Sequence, residues 1–177
     1  MGEITIREAM EADMARISAI YGRSVETETA SFELEPPDER EMAKRWRALV
    51  DAGYPYIVAA DQGAVVGYAY VGPYRSRPAY RHVVECTVYI APEVQRRGVG
   101  RRLLQELIEQ TEACGFRQMI AIVGGSEHRA SIEFHRALGF DVVGTLRAVG
   151  HKHGTWLDTV FLQRALGAGS TTPPERP

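Results

Sequence analysis

Residues 91–110 read APEVQRRGVGRRLLQELIEQ: the end of a strand, two glycines one residue apart among four arginines, and then an amphipathic run. Gly98 and Gly100 remove side chains just where a helix must start, at some cost in stability. A strand that runs into a glycine turn and then a helix N-terminus makes an anion site. Unpaired amides point outward, the helix dipole favours negative charge, and the missing Cβ atoms let a phosphate approach the backbone. Arg96, Arg97, Arg101 and Arg102 would add charge-assisted hydrogen bonds. The plainer alternative is a solvated basic turn with a flexible glycine pair. Two common phosphate motifs are excluded. A dinucleotide fingerprint needs glycine at 103, where the chain has Leu103, and a P-loop needs Gly-Lys-Ser/Thr, which is absent.

The neighbouring segments place this turn in a fold. VVECTVYI (83–90) before it alternates as a strand; Leu103, Leu104, Leu107 and Ile108 after it share one helical face, with Gly115 as the stop. MIAIV (119–123) then reads as a buried strand, which completes a strand–helix–strand unit. Upstream, ITIRE (4–8) reads as a strand, and Met14, Ile17, Ile20 and Tyr21 lie on one helical face. FELEPP breaks that pattern. A second helix from about Asp38 to Asp51 turns Met42, Trp46, Leu49 and Val50 inward and stops at Gly53. YIVAA and AVVGYAYVG form a hairpin around DQG. Downstream, GGSEHRASIEFHRALGF gives a glycine turn and a short helix ending at Gly139, and two strands follow around DVVGTL and WLDTVFLQ. The expected class is α/β in the mixed (α+β) sense: one mostly antiparallel sheet with helices on its faces. No internal repeat is present.

The chain has 177 residues and a net charge of −2, enough for one core and too nearly neutral for a global pull toward nucleic acid or an anionic membrane. A single domain over 1–165 and a small, polar, proline-rich disordered tail over 166–177 are expected. The first residues lack the apolar core of a signal or anchor, and Ile6 breaks the myristoylation pattern that Gly2 would start. Cys86 and Cys114 stand at neither a CxxC nor a metal spacing, which reads as reduced, cytoplasmic usage. His151 and His153 would share a strand face, but without a third ligand no metal is expected.

Glu85, Thr87 and Tyr89 alternate on one strand face, opposite Cys86, Val88 and Ile90. A glutamate among apolar strand residues is either an edge charge paired with an arginine or a group kept for chemistry. His135 is a packing residue of its helix or a proton carrier. Arg75 and Arg77, in the loop before the Glu85 strand, are solvated charges or a fork for a carboxylate or phosphinate.

QRRGVG after TVYIAPEV resembles the Q/R-x-x-G-x-G/A motif of the GNAT N-acetyltransferases, where it holds the pyrophosphate of acetyl-CoA. GPYRSRPAY, VECTVYI, FHRALGF, LRAVGHKHG and WLD stand in the order and spacing of the phosphinothricin and methionine sulfoximine N-acetyltransferases. The likeness runs from ITIREAMEADM to about Leu162.

This resemblance implies a GNAT fold whose sheet splays beside TVYI. Backbone groups of Val88, Tyr89 and Ile90 would hold the pantetheine arm, and Arg96, Arg97, Gly98, Val99, Gly100 and Arg101 the pyrophosphate. His128, where the family often carries asparagine, and Ser131 would lie along the coenzyme. Phe32, Arg75, Arg77, Tyr80, Glu85 and Thr87 would form the acceptor pocket. An ammonium has no lone pair to attack a thioester, so a base is needed. Glu85 matches the family's acid. His135 would serve at the departing thiolate or at the amine, and backbone amides near Val88 would steady the developing oxyanion.

The implied enzyme is an acetyl-CoA-dependent N-acetyltransferase of small amino-acid analogues such as phosphinothricin, methionine sulfoximine or methionine sulfone, and so a herbicide-resistance activity. It would be cytoplasmic and homodimeric, with GHKHGTW toward the partner, and would need no metal, nucleic acid or membrane. Two rivals remain open. One is a GNAT enzyme acting on a peptide N-terminus or another small amine; the other is a non-catalytic CoA-binding regulator.

Overall fold

Strand β1 (Ile4–Glu8) pairs antiparallel with β2 (Tyr56–Asp61) in the computed structural model, which describes residues 3–174. Gly2 and the last three residues of the expected tail lie outside the described residues. β2 turns through Gln62 and Gly63, both at positive φ (50° and 86°), into β3 (Ala64–Pro73). Left-handed pairs of this kind match the twist of a tight hairpin. β4 (Val83–Ile90) continues antiparallel, and helix α3 (Val99–Ala113) crosses over to β5 (Gln118–Gly124), which lies parallel to β4. β6 (Asp141–Lys152) and β7 (Thr155–Ala165) form a closing hairpin. The seven-stranded sheet has the order β1-β2-β3-β4-β5-β7-β6.

Helices cover both faces. A Cβ built at Gly67 of β3 would lie 3.2 Å from Leu103 of α3, and one at Gly72 would lie 3.3 Å from Leu49 of α2 (Glu39–Asp51). These glycines are five positions apart, an odd offset, so α3 and α2 lie on opposite faces. α1 (Met14–Thr27) packs beside α2, and its Tyr21 ring meets Tyr89 edge-on at 5.0 Å. α4 (Arg129–Arg136) follows β5. The core joins Met14, Ile17, Ile57, Tyr68, Leu103, Leu107, Met119 and Leu162.

The sheet splays as expected. Pairing between β4 and β5 ends at Cys86 and Ala121, while Ile122, Val123 and Gly124 pair only with β7. One side of Thr87–Ile90 therefore has no strand neighbour.

Three details differ from expectation. Val50, placed inward by helical spacing, is 41% exposed, because α2 turns Met42 most directly to the core. β6 runs well past Leu146. Arg147, Ala148 and Val149 bulge opposite the single residue Asp158, and pairing resumes at Gly150 and Leu157. The Asp158 carboxylate fixes this bulge, accepting from the Ala148 amide at 2.9 Å and the Ser126 hydroxyl at 2.8 Å. Finally, order continues past residue 165. Leu166 is fully buried, and the Arg117 guanidinium donates to the carbonyls of Gly169 and Thr172 at 2.8 and 2.9 Å.

Candidate active site

The turn before α3 departs from ordinary backbone at two points. Arg96 (φ 61°) and Gly98 (φ 79°) both adopt the left-handed conformation on either side of Arg97. A Cβ at Gly98 would meet nothing within 4 Å, so the glycine serves the conformation and leaves open space beside it. The first amide to find a helical partner is that of Arg102, which donates to the Gly98 carbonyl at 3.1 Å. The amides of Val99, Gly100 and Arg101 remain for a ligand.

Gly98, Gly100 and Arg101 line a cavity of about 580 Å³, together with Arg23, Arg96, the edge of Val88–Ile90, Ala130 and Phe134. Guanidinium groups and helix amides at one end, and an apolar channel with unpaired strand edge at the other, fit a long pyrophosphate-bearing cosubstrate. Three expected ligands are used otherwise. Arg97 is exposed and lines neither this cavity nor the next; the Val99 side chain is in the core, leaving only its amide; and Arg102 donates to the Ile4 carbonyl at 2.9 Å.

A second cavity of about 400 Å³ is lined by Tyr21, Phe32, Tyr70, Glu85, Thr87 and His128, among others. Ala30, Val88, Tyr89, Ser131 and His135 line both cavities, so the two open onto one wall.

His135 stands in that wall, 8% exposed, between the rings of Phe134 and Phe140. Its Nδ1 lies 2.8 Å from the Ser131 carbonyl one helical turn back. A carbonyl only accepts, so Nδ1 carries the proton and a neutral ring offers a lone pair at Nε2. Burial pushes the imidazole below its ordinary proton affinity, and the Ser131 bond partly offsets this. Burial acts oppositely on Glu85, raising its carboxyl above the usual range, while the positive charge of Arg75 pulls it back. The two proton affinities are thereby driven toward each other, which lowers the cost of passing a proton between them.

His128, expected along the coenzyme, lines the second cavity instead. Its Nε2 lies 2.6 Å from the Thr29 hydroxyl, which ties the start of α4 to the segment after α1. Arg75, Arg77 and Tyr80 line neither cavity. Arg75 and Tyr80 stand outside around Tyr74, with the Arg75 guanidinium over its ring at 5.1 Å and the Tyr80 ring against it at 5.7 Å. His151 packs on Trp156, ring centroids 5.1 Å apart.

Residues 18–140 match the model of the Acetyltransferase (GNAT) family, more than half of the chain. The chain belongs to the GNAT acetyltransferase family. Over 171 residues it is 50% identical to the phosphinothricin N-acetyltransferase of Alcaligenes faecalis, covering 97% of this chain and 87% of that protein. It is 39% identical to the L-methionine sulfoximine/L-methionine sulfone acetyltransferase of Salmonella typhimurium, over 92% of this chain and 95% of the relative. The crystal structure of a GNAT superfamily phosphinothricin acetyltransferase from Sinorhizobium meliloti in complex with AcCoA superposes with a TM-score of 0.95. Its identity is 49%, with 98% of this chain and 94% of that one covered.

Within this GNAT frame, spacing alone overlooks Arg23, Tyr21, Thr29 and Lys152. Tyr21 and Arg23 sit on a helix whose periodicity points only to packing. Lys152 could have been found, since alternation turns the residue after His151 to the opposite face of the strand. It is 3% exposed. His153, expected on the same strand face as His151, instead stands in the hairpin turn at φ 50°.

Proposed function

We propose that this chain transfers an acetyl group from acetyl-CoA to the α-amine of a small amino-acid analogue of the phosphinothricin, methionine sulfoximine or methionine sulfone type. The observation that carries this reading is the shared wall. A cavity fit for the coenzyme and a smaller one holding Glu85 meet at Tyr89, Ser131 and His135. The activities of the relatives named above support the acceptor class.

Acetyl-CoA supplies an activated acetyl thioester. Arg96 and Arg101, with the amides of Val99, Gly100 and Arg101, hold its phosphates, and the free edge of Val88–Ile90 holds the arm. Phe32 walls the acceptor. Arg75 faces its acid end, with Arg77 and Tyr80 beside it; Arg75 is the best supported of the three, since its charge is felt at Glu85. Glu85 and His135 are the proton-handling pair. Glu85 takes the ammonium proton and passes it through water to solvent, which frees the amine lone pair to form the C–N bond. The Nδ1–Ser131 bond leaves His135 a base at Nε2, which takes the second amine proton and gives it to the thiolate as the C–S bond breaks.

The enzyme acts in the cytoplasm and as a homodimer in this reading. Val142, Val143, Leu146, Val149 and Trp156 of the β6–β7 hairpin, each about half or more exposed, supply the apolar face for the partner. Detoxification of a herbicide follows if phosphinothricin is among the acceptors.

The test is acetyl-CoA-dependent thiol release against phosphinothricin, methionine sulfoximine, methionine sulfone, ordinary amino acids, a polyamine and a peptide. Turnover concentrated on the first three is expected. Turnover with peptide or polyamine alone would replace the acceptor assignment and keep the coenzyme site. Coenzyme binding with no turnover at all would favour a regulator.

A further inference from the structure

A buried cation holds the acceptor cavity together from a distance. Lys152, near the tip of the β6–β7 hairpin, donates from Nζ to the Ser31 carbonyl at 2.8 Å. Ser31 belongs to the strap, residues 28–38, between α1 and α2, whose Ala30 and Phe32 line the acceptor cavity. The strap's other ties are to α1, α2 and the start of α4. The Tyr21 hydroxyl meets the Ser31 hydroxyl at 2.8 Å, Arg45 meets Glu33 at 2.7 Å, and Thr29 meets His128. Lys152 is the tie from the far edge of the sheet.

Its neighbour two residues earlier completes a seat. A Cβ at Gly150 would run into the Phe32 ring, and one at Gly124 of β5 would stand 2.7 Å from it. Gly150 and Lys152 share the inward face of β6. One offers the gap that takes the ring; the other offers the cation that fixes the carbonyl beside it. An ammonium is expensive to bury, and an apolar side chain would fill the same space without that cost. Burial lowers its proton affinity, and the carboxylates of Glu28 and Glu33 offset this only in part.

We propose that Lys152 is a positioning residue for the acceptor: by fixing the Ser31 carbonyl it sets Phe32 over the cavity and thereby governs acceptor affinity. It lines neither cavity. The proposal rests on the acetyltransferase reading above, and its test separates the two.

Lys152→Met, Lys152→Gln and Lys152→Arg variants are compared with wild type in steady-state kinetics, with the best wild-type acceptor, and in hydrogen exchange followed by mass spectrometry. Lys152→Met should raise the acceptor KM about tenfold, the factor a charge-assisted hydrogen bond commands, and move the acetyl-CoA KM less than about twofold. Lys152→Gln should fall between, and Lys152→Arg should stay near wild type. Faster exchange should be confined to the strap. Equal rises in both KM values, an unchanged acceptor KM, or faster exchange across the whole sheet would overturn the proposal. If Lys152→Met does not fold, the Lys152→Gln variant decides by the same split. If wild type acetylates none of the panel, the functional reading fails alone; the exchange pattern needs no acceptor and still decides whether Lys152 holds the strap.

Discussion

The two cavities share a wall but are assembled in opposite ways. Much of the coenzyme side comes from one run of chain, residues 88–101, and what it offers is largely backbone: a strand edge, a left-handed turn and the first amides of α3. The acceptor side gathers side chains from α1, the strap, β3, β4, the loop after β5 and α4. Backbone recognition suits a cosubstrate that never changes, since any residues that keep the conformation keep the site. A pocket of converging side chains depends on how distant elements sit relative to one another, so acceptor choice can shift through residues that never touch the acceptor.

The largest expected effect falls on the shared wall. His135→Ala should lower kcat/KM by about 10²–10⁴, the range for a positioned proton-transfer group, while coenzyme affinity measured by calorimetry holds. In the proposed mechanism the neutral imidazole is the active form, and burial lowers its proton affinity. The acidic limb of the kcat/KM profile should therefore lie below the ordinary imidazole value of 6.5, and the variant should lose that limb. The same shift has a sign for stability. The unfolded chain takes up this proton before the folded chain does, so stability falls as pH drops from 6.5 toward the folded value, and His135→Ala should flatten that slope in denaturant titrations.

Next come changes confined to one side. Gly98→Ala forces a side chain into a left-handed position and should cost about 1–2 kcal/mol, read as a rise of roughly tenfold in the acetyl-CoA KM with the acceptor KM unmoved. Gly150→Ala should do the reverse, displacing Phe32 and raising the acceptor KM by about threefold to tenfold. If either substitution moved both KM values together, the two sides would not be separable in the way described. The smallest effect is expected at Arg97, whose replacement by alanine should change the acetyl-CoA KM by less than about twofold, as for a solvent-screened charge.

The contrast also explains what could be read in the chain. The coenzyme side is local, and helical and strand periodicity placed α1 to α4 and β1 to β5 around it. Glu85 and His135 stand out because each is a titratable residue in a segment whose periodicity otherwise points to packing. The arginines were over-assigned, since spacing cannot tell Arg102, bonded to the Ile4 carbonyl, from Arg101 at the cavity. The course of β6 was lost because three bulged residues break its alternation, and the aspartate that holds the bulge lies on the next strand. Leu166 was hidden in a polar, proline-rich context, although its own apolar side chain carries the end of β7 into the core. Gly124 reads as part of a glycine turn and Gly150 as a residue beyond the strand around DVVGTL, until the ring that fills the space beside both arrives from residue 32.

The common boundary formed by Ala30, Val88, Tyr89, Ser131 and His135 has one more consequence. A conjugate carrying the coenzyme at one end and an amino-acid analogue at the other, joined by a tether as short as the acetyl group, could occupy both sides at once. Its second half would dock at the millimolar effective concentration of a short link, so its avidity should exceed that of either half by about 10²–10⁴. Such a molecule would act as a ruler: the tether length giving tightest binding would measure the gap across which the acetyl group must pass.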